Sequence, residues 1–268
     1  MEHTTFIPQK GITGSTLKLI AIITMTIDHI GAFLLEKLLL ASQIHGLTYP
    51  SFLAPHMKSG AFLNQLYYTD MVLRCIGRVA FLIFAFLIVE GFLHTHNMRK
   101  YASRLFLFAL ISEIPFSLIG SAKILSLDHL NVFFTLCIGL AVIACFNMIE
   151  QKNWKPLPGI LIKAAVLALG CLVAYVIKSD YDAFGVAAIA LLYLFRSNRR
   201  LSVFAGGILL TIMSSIEIFS LVSIIPISLY NGKKGWSMKY FFYFFYPVHL
   251  LILYFITYWL GIASVAVF

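Results

Sequence analysis

The sequence predicts an all-α, polytopic integral membrane bundle of about nine transmembrane helices, with its N-terminus in the cytoplasm. Three observations lead there. Hydrophobic residues make up 60% of the 268 positions and charged residues only 12%, at a mean hydropathy of +0.91, which excludes an ordinary soluble domain. The apolar residues gather into runs of roughly 20, the length that crosses a bilayer. The basic residues fall between those runs, in alternate connections. Disorder is excluded too, because 24 Phe, 13 Tyr and 3 Trp need burial.

In chain order the runs cover about 17–39, 75–95, 101–120, 130–149, 157–178, 182–196, 201–215, 217–230 and 239–262. The sixth to eighth are short, which suits tilted or partly re-entrant segments. No small-residue cleavage site precedes the first run, so it is expected to persist as a helix. The connection 40–74 is too long for a turn; Pro50, Pro55 and Gly60 interrupt it, and an interfacial flap or short helix on the outer face is expected. With no repeat or composition boundary, residues 1–268 read as a single domain.

The net charge of +9 raises nucleic-acid binding, but no continuous basic face supports it, and no nucleic-acid partner is expected. Arg99, Lys100 and Arg104, then Lys152 and Lys155, then Arg196, Arg199 and Arg200, then Lys233, Lys234 and Lys239 all occupy even-to-odd connections. The odd-to-even ones are mixed: Lys123 with Asp128, Lys178 with Asp180 and Asp182, and Glu217 alone. That places the N-terminus inside, with the lipid bilayer as the surrounding partner. Cys75, Cys137, Cys145 and Cys171 form no Cys-x-x-Cys pair and read as small apolar residues, so no metal site is expected.

Titratable groups inside apolar runs are functional candidates, since each costs several kcal/mol unless it faces protein or water. Asp28 and His29 interrupt the first run, Glu90 and Glu113 sit late in the second and third, and His249 falls in the ninth. Arg74 and Arg78 open the second run, and His129 and Asn131 the fourth. Alternating direction puts Asp28, His29, Arg78, Glu113, His129 and Asn131 at similar depth toward the outer face. They read either as one site or as interhelical ties that hold a bundle together. Glu90 is expected to pair with His94 one turn on.

Asp28 points about 100° from His29 on a straight helix, so it is expected to pair with Arg78 or Arg74, with Glu113 as a candidate orienter of His29. Pro115 is expected to loosen the helix beside Glu113. Pro247 frees a carbonyl one turn earlier, so His249 is a second site residue or a ring satisfied by that carbonyl. The run KYFFYFFYP reads as packing and interfacial anchoring, and Asn231-Gly232 as a tight turn whose Lys233 and Lys234 could meet phosphates. Lys18 stands eleven residues before His29, on the same helix face and about 16 Å away. A cation at the mouth with a proton-transferring imidazole below suits a phosphate-bearing cosubstrate, and a snorkelling lysine above an unrelated histidine also fits.

These residues resemble the TraX family, membrane proteins associated with N-terminal acetylation of conjugative pilin. The resemblance is carried by LKLIAIITMTIDHIGAF at 17–33, RCIGRVAFLIFAFLIVEGFLHT at 74–95, YASRLFLFALISEIPFSL at 101–118, LNVFFTLCIGL at 130–140, YNGKKG at 230–235 and KYFFYFFYPVHLLIL at 239–253. More distantly the chain is similar to integral membrane acyltransferases, whose first span carries a basic residue, ten intervening positions and a histidine, as Lys18 and His29 do. The resemblance implies acetyl transfer from cytosolic acetyl-CoA, at a bacterial inner membrane, to a peptide amine or an envelope glycan at or near the outer face. His29 would be the catalytic histidine, aided by Asp28, Arg78 and Glu113. Lys18, Lys233 and Lys234 would hold acetyl-CoA, and Asn131 or Tyr246 would serve as oxyanion donor. A proton-coupled transporter using Asp28, His29 and Glu113 is one alternative, and a non-catalytic assembly factor another.

Overall fold

The structure is a computed structural model describing residues 11–152, 154–237 and 239–268. Residues 1–10 and the Lys239 side chain, on which two of the expectations above partly rest, lie outside the described residues. Among the described residues the secondary structure is helical, with two isolated bridges and no strand.

The helices form nine rods among the described residues. They are α1 (Gly14–Ala41), α2 (Gly60–His94), α3 (Met98–Gly120), α4 (Val132–Gln151), α5 (Pro156–Val176), α6 (Asp182–Leu194), α7 (Arg199–Met213), α8 (Ser215–Ser228) and α9 (Lys239–Trp259). Six of them, α1 to α5 and α9, are long and apolar enough to cross a membrane. The chain is a multi-pass integral membrane protein.

The short rods have a physical reason. Helix α6 has 13 residues, about 20 Å of rise, against a hydrocarbon core of about 30 Å. Val186, Ala188, Ile189 and Ala190 are fully buried on it, so α6 is a core element packed by neighbours. Helix α5 is the opposite case, with only Gly170 and Ala174 buried, and its leucines and valines face outward as a lipid-contacting helix would.

The segment 40–74 departs from expectation. Helix α2 already begins at Gly60, where the Ser59 hydroxyl caps Phe62 N–H at 3.4 Å. It runs to Gly77, turns at Arg78 and continues to His94. Leu66, Asp70 and Gly77 are its buried residues before the turn, a one-sided pattern at helical spacing. Exposed Asn64 and Gln65 on the other side dilute the hydropathy and hide the helix.

The ends of the rods form two distinct layers. At one, Ile12 and Gly14 bond to Leu229 and Lys233 carbonyls, and Arg199 bonds to the Tyr230 carbonyl. Arg196 pairs with Glu150 there at 2.9 Å, so this basic end gathers the connections rich in lysine and arginine. At the far end Leu130 pairs with residues 178–180, and Val267 N–H donates to Gly120 O.

Candidate functional site

The six groups expected at one depth separate into three clusters around α1. The cause is the 100° step between neighbouring helical residues. Asp28 faces α2, while His29 faces α9.

On the α2 side, Arg74 meets Asp28 at 2.8 Å, and Arg78 bridges Asp28 and Glu217, the latter at 2.8 Å. The sequence suggested Arg78 or Arg74 as the partner of Asp28, and both pair with it. Glu217, the lone acid of an odd-to-even connection, completes the network from α8 and is fully buried. Gly77 allows the close approach, because a Cβ there would collide with the Asp28 carboxylate. Paired in this way, the charges tie α1, α2 and α8 together, and Asp28 is turned away from the imidazole.

On the α9 side, His29 Nδ1 and His249 Nε2 lie 2.6 Å apart, with the two rings nearly coplanar, edge to edge, their centroids 4.9 Å apart. His249 Nδ1 is 2.9 Å from the Phe245 carbonyl. A carbonyl only accepts, so Nδ1 carries a proton, and in the neutral ring Nε2 is then an acceptor. His29 Nδ1 therefore donates to His249, which leaves His29 Nε2 as the nitrogen bearing the lone pair. The carbonyl used is that of Phe245; Pro247 frees the one at Tyr243, four residues before it. His249 is thus both a backbone-anchored ring and a partner of His29. Immediately past His29, α1 widens into a π-helical turn over Gly31–Leu35, a distortion that often accompanies functional sites.

The third cluster corrects two expectations. The Glu113 carboxylate accepts from Ser117 at 3.2 Å and from Asn131 N–H and Nδ2 at 3.1 and 2.7 Å. Asn131 Nδ2 also donates to Ala109 O at 2.8 Å, and its Oδ1 caps α4 by accepting from Phe133 N–H. Both side-chain donors of Asn131 are spent, so it buttresses a helix start and has no hydrogen left for an oxyanion. Glu113 likewise orients that cap and not His29. Helix α3 runs unbroken through Pro115. His129 lies farther out, 3.9 Å from Asp180; that carboxylate, outweighing partial burial, pushes the imidazole pKa above its usual range. Glu90 lies 3.8 Å from His94 as expected, but its closer side-chain hydrogen-bond partner is Tyr230.

A cavity of about 250 Å³ runs inward from the basic end toward the histidine pair. Lys18, Arg104 and Lys234 line it, and no carboxylate does among the described residues. Lys18 Nζ rests over the Phe242 ring at 5.3 Å. Arg104 bonds to Tyr243, and its buried Nε has no partner. Met25, Phe133 and Tyr246 line the cavity as well. Met25 is seven residues beyond Lys18, hence about 10 Å deeper. The Tyr246 hydroxyl is buried near the Val132 backbone N–H, with no acceptor for its own proton among the described residues, and its ring stands 5.9 Å from that of His29 and 5.5 Å from that of His249. The cavity stops at Tyr246, one ring short of the imidazole. Lys233 does not line it; this residue follows a tight turn in which Gly232 has φ +77° and Asn231 accepts from Lys233 N–H.

Sequence reasoning missed Arg104, which it counted among loop charges, and the cavity-facing Phe242 and Tyr243 of the aromatic run, though it singled out Tyr246 beside them. A signal was present: Arg104 lies on the same apolar helix as Leu105 and Phe108, both buried, and a cation so placed needs an interior reason.

A family model described as TraX protein matches residues 13–257. The chain is 28% identical, over 261 residues covering 88% of it and 92% of the relative, to the probable fimbrial assembly protein FimC, serogroup H1, of Dichelobacter nodosus. No solved structure matches it.

Proposed function

The chain belongs to the TraX family, and on that premise we propose that it transfers an acetyl group from acetyl-CoA to an amine at the opposite face of a bacterial inner membrane. The observation that carries this is the cavity whose wall holds three cations and no acid among the described residues, and which ends one ring from a paired histidine. A nucleotide bearing phosphates suits Lys18, Arg104 and Lys234, and the apolar remainder suits an uncharged pantetheine arm ending in a thioester near Tyr246. The gathering of basic connections at the mouth supports a cytoplasmic orientation for that end.

His29 Nε2 is the general base. It takes a proton from the acceptor amine as the nitrogen bonds to the thioester carbonyl carbon. The carbon–sulfur bond then breaks, and the same imidazole returns the proton to the departing thiolate. His249 holds His29 in the tautomer this requires. The Tyr246 hydroxyl, whose proton has no acceptor among the described residues, is the donor for the developing oxyanion. The likeness to a probable fimbrial assembly protein of Dichelobacter supports a fimbrial subunit as the acceptor.

The test is transfer of labelled acetyl from acetyl-CoA to a peptide amine in proteoliposomes. His29→Ala should abolish transfer while the protein still elutes and melts as folded. Turnover retained by this variant would overturn the assignment.

A further inference from the structure

Beyond His29, toward the far end of the bundle, residues 261–268 pack behind Phe33. Phe33, one turn along α1, sets its ring edge-on to the imidazole at 5.2 Å. Behind it lies Phe268, 6.2 Å from Phe33, stacked on Phe116 at 5.2 Å and 4.7 Å from His129. Gly120 makes the slot, because a Cβ there would run into the Phe268 ring. Val267 N–H donates to the Gly120 carbonyl at 2.8 Å. Upstream, Gly261 at φ +74° turns the chain back from α9, and Ile262 and Val265 are buried. Lys37 is fully buried and donates to Ala263 O at 3.4 Å. An ammonium group held away from water needs such a partner.

The far end therefore grips a peptide in two ways: a backbone N–H is bonded to a fixed carbonyl, and an aromatic side chain is stacked in a slot two rings from His29. We propose that residues 262–268 stand in for the acceptor. An extended peptide segment with an aromatic side chain displaces residues 262–268, places its ring against both Phe116 and His129, bonds to Gly120 O and approaches His29 past Phe33. The chemistry that follows rests on the acetyltransferase reading, whereas the binding does not.

The test reads access alone. The four native cysteines are replaced by alanine, His29→Cys is introduced, and an impermeant maleimide is applied from the far end in proteoliposomes. With residues 262–268 intact, labelling at position 29 is slow. Phe268→Ala should speed it by about tenfold, the factor that one lost aromatic stack sets. Phe268→Leu, which keeps apolar bulk without a ring, should fall between. Adding the peptide Ile-Ala-Ser-Val-Ala-Val-Phe to the Phe268→Ala protein should restore protection, and the same peptide ending in Ala should not. Equal labelling in all variants overturns the proposal, as does protection by a neutral oligosaccharide and not by the peptide. No acetyl-CoA is needed, so failure here is distinguishable from failure of the acetyltransferase reading.

Discussion

His249→Phe isolates the role of the paired ring. His249 is buried, edge to edge with His29 and stacked on Phe245, with ring centroids at 4.9 and 5.2 Å, so a phenyl ring keeps most of the volume and the stack on Phe245. What disappears is the Nε2 acceptor 2.6 Å from His29 Nδ1. The His29 proton is then no longer held on Nδ1, and any ring that moves it to Nε2 has lost its base. Loss of such an orienting partner costs about 10- to 100-fold, and a hundredfold corresponds to about 2.7 kcal/mol of transition-state stabilisation. His249 does not line the cavity, so the loss should fall on kcat with KM for acetyl-CoA unchanged. His249→Gln, whose amide oxygen can accept, should recover part of the rate. Steady-state acetyl transfer with varied acetyl-CoA measures both constants. Unchanged kcat in His249→Phe, or a loss carried wholly by KM, would refute the tautomer argument.

Glu217→Gln leaves Arg78 with Asp28 as its one remaining charge partner in a buried place, and should cost about 2–3 kcal/mol of stability in a detergent melt without weakening acetyl-CoA binding. Removing Asp28 as well, in Asp28→Asn/Glu217→Gln, strands the guanidinium and should cost more than either change alone. Asn131→Ala removes a helix cap worth about 1–2 kcal/mol and should lower the melting temperature while kcat persists; a loss of about 10²-fold in kcat would instead mark an oxyanion donor. His129 has its pKa raised by Asp180, so the tie stabilises fully below its unfolded value of about 6.5 and fades as pH rises through the raised folded value. His129→Gln should flatten that decline in melting temperature with rising pH; Asp180, Asp182 and Glu113 are the acids that act on this ring.

The helices and the division of labour on α1 were legible because both follow from local rules. Apolar runs located the rods, and the 100° step sent Asp28 to Arg74 and Arg78 while His29 faced elsewhere. Partners fixed by packing were not legible. His249 is 220 residues from His29, and no periodicity reports which rotation of α9 brings the rings together. Depth estimates merged Glu113 and Asn131 with His29, since depth carries no information about azimuth around the bundle. The start of α2 was hidden by polar residues on its exposed side, and the nine-residue 3₁₀ stretch Ser215–Ser223 is longer than such stretches usually run.

The central claim is that the cavity between Lys18 and Tyr246 receives acetyl-CoA. The thermal melt of detergent-purified protein with and without acetyl-CoA tests it most directly. At a hundred times its dissociation constant the ligand should add about 2.7 kcal/mol of stability. The expected result is a saturable upward shift, weakened by Lys18→Ala and by Arg104→Ala and retained by His29→Ala, which does not line the cavity. No shift at millimolar acetyl-CoA, or a shift indifferent to both cation variants, would contradict the account.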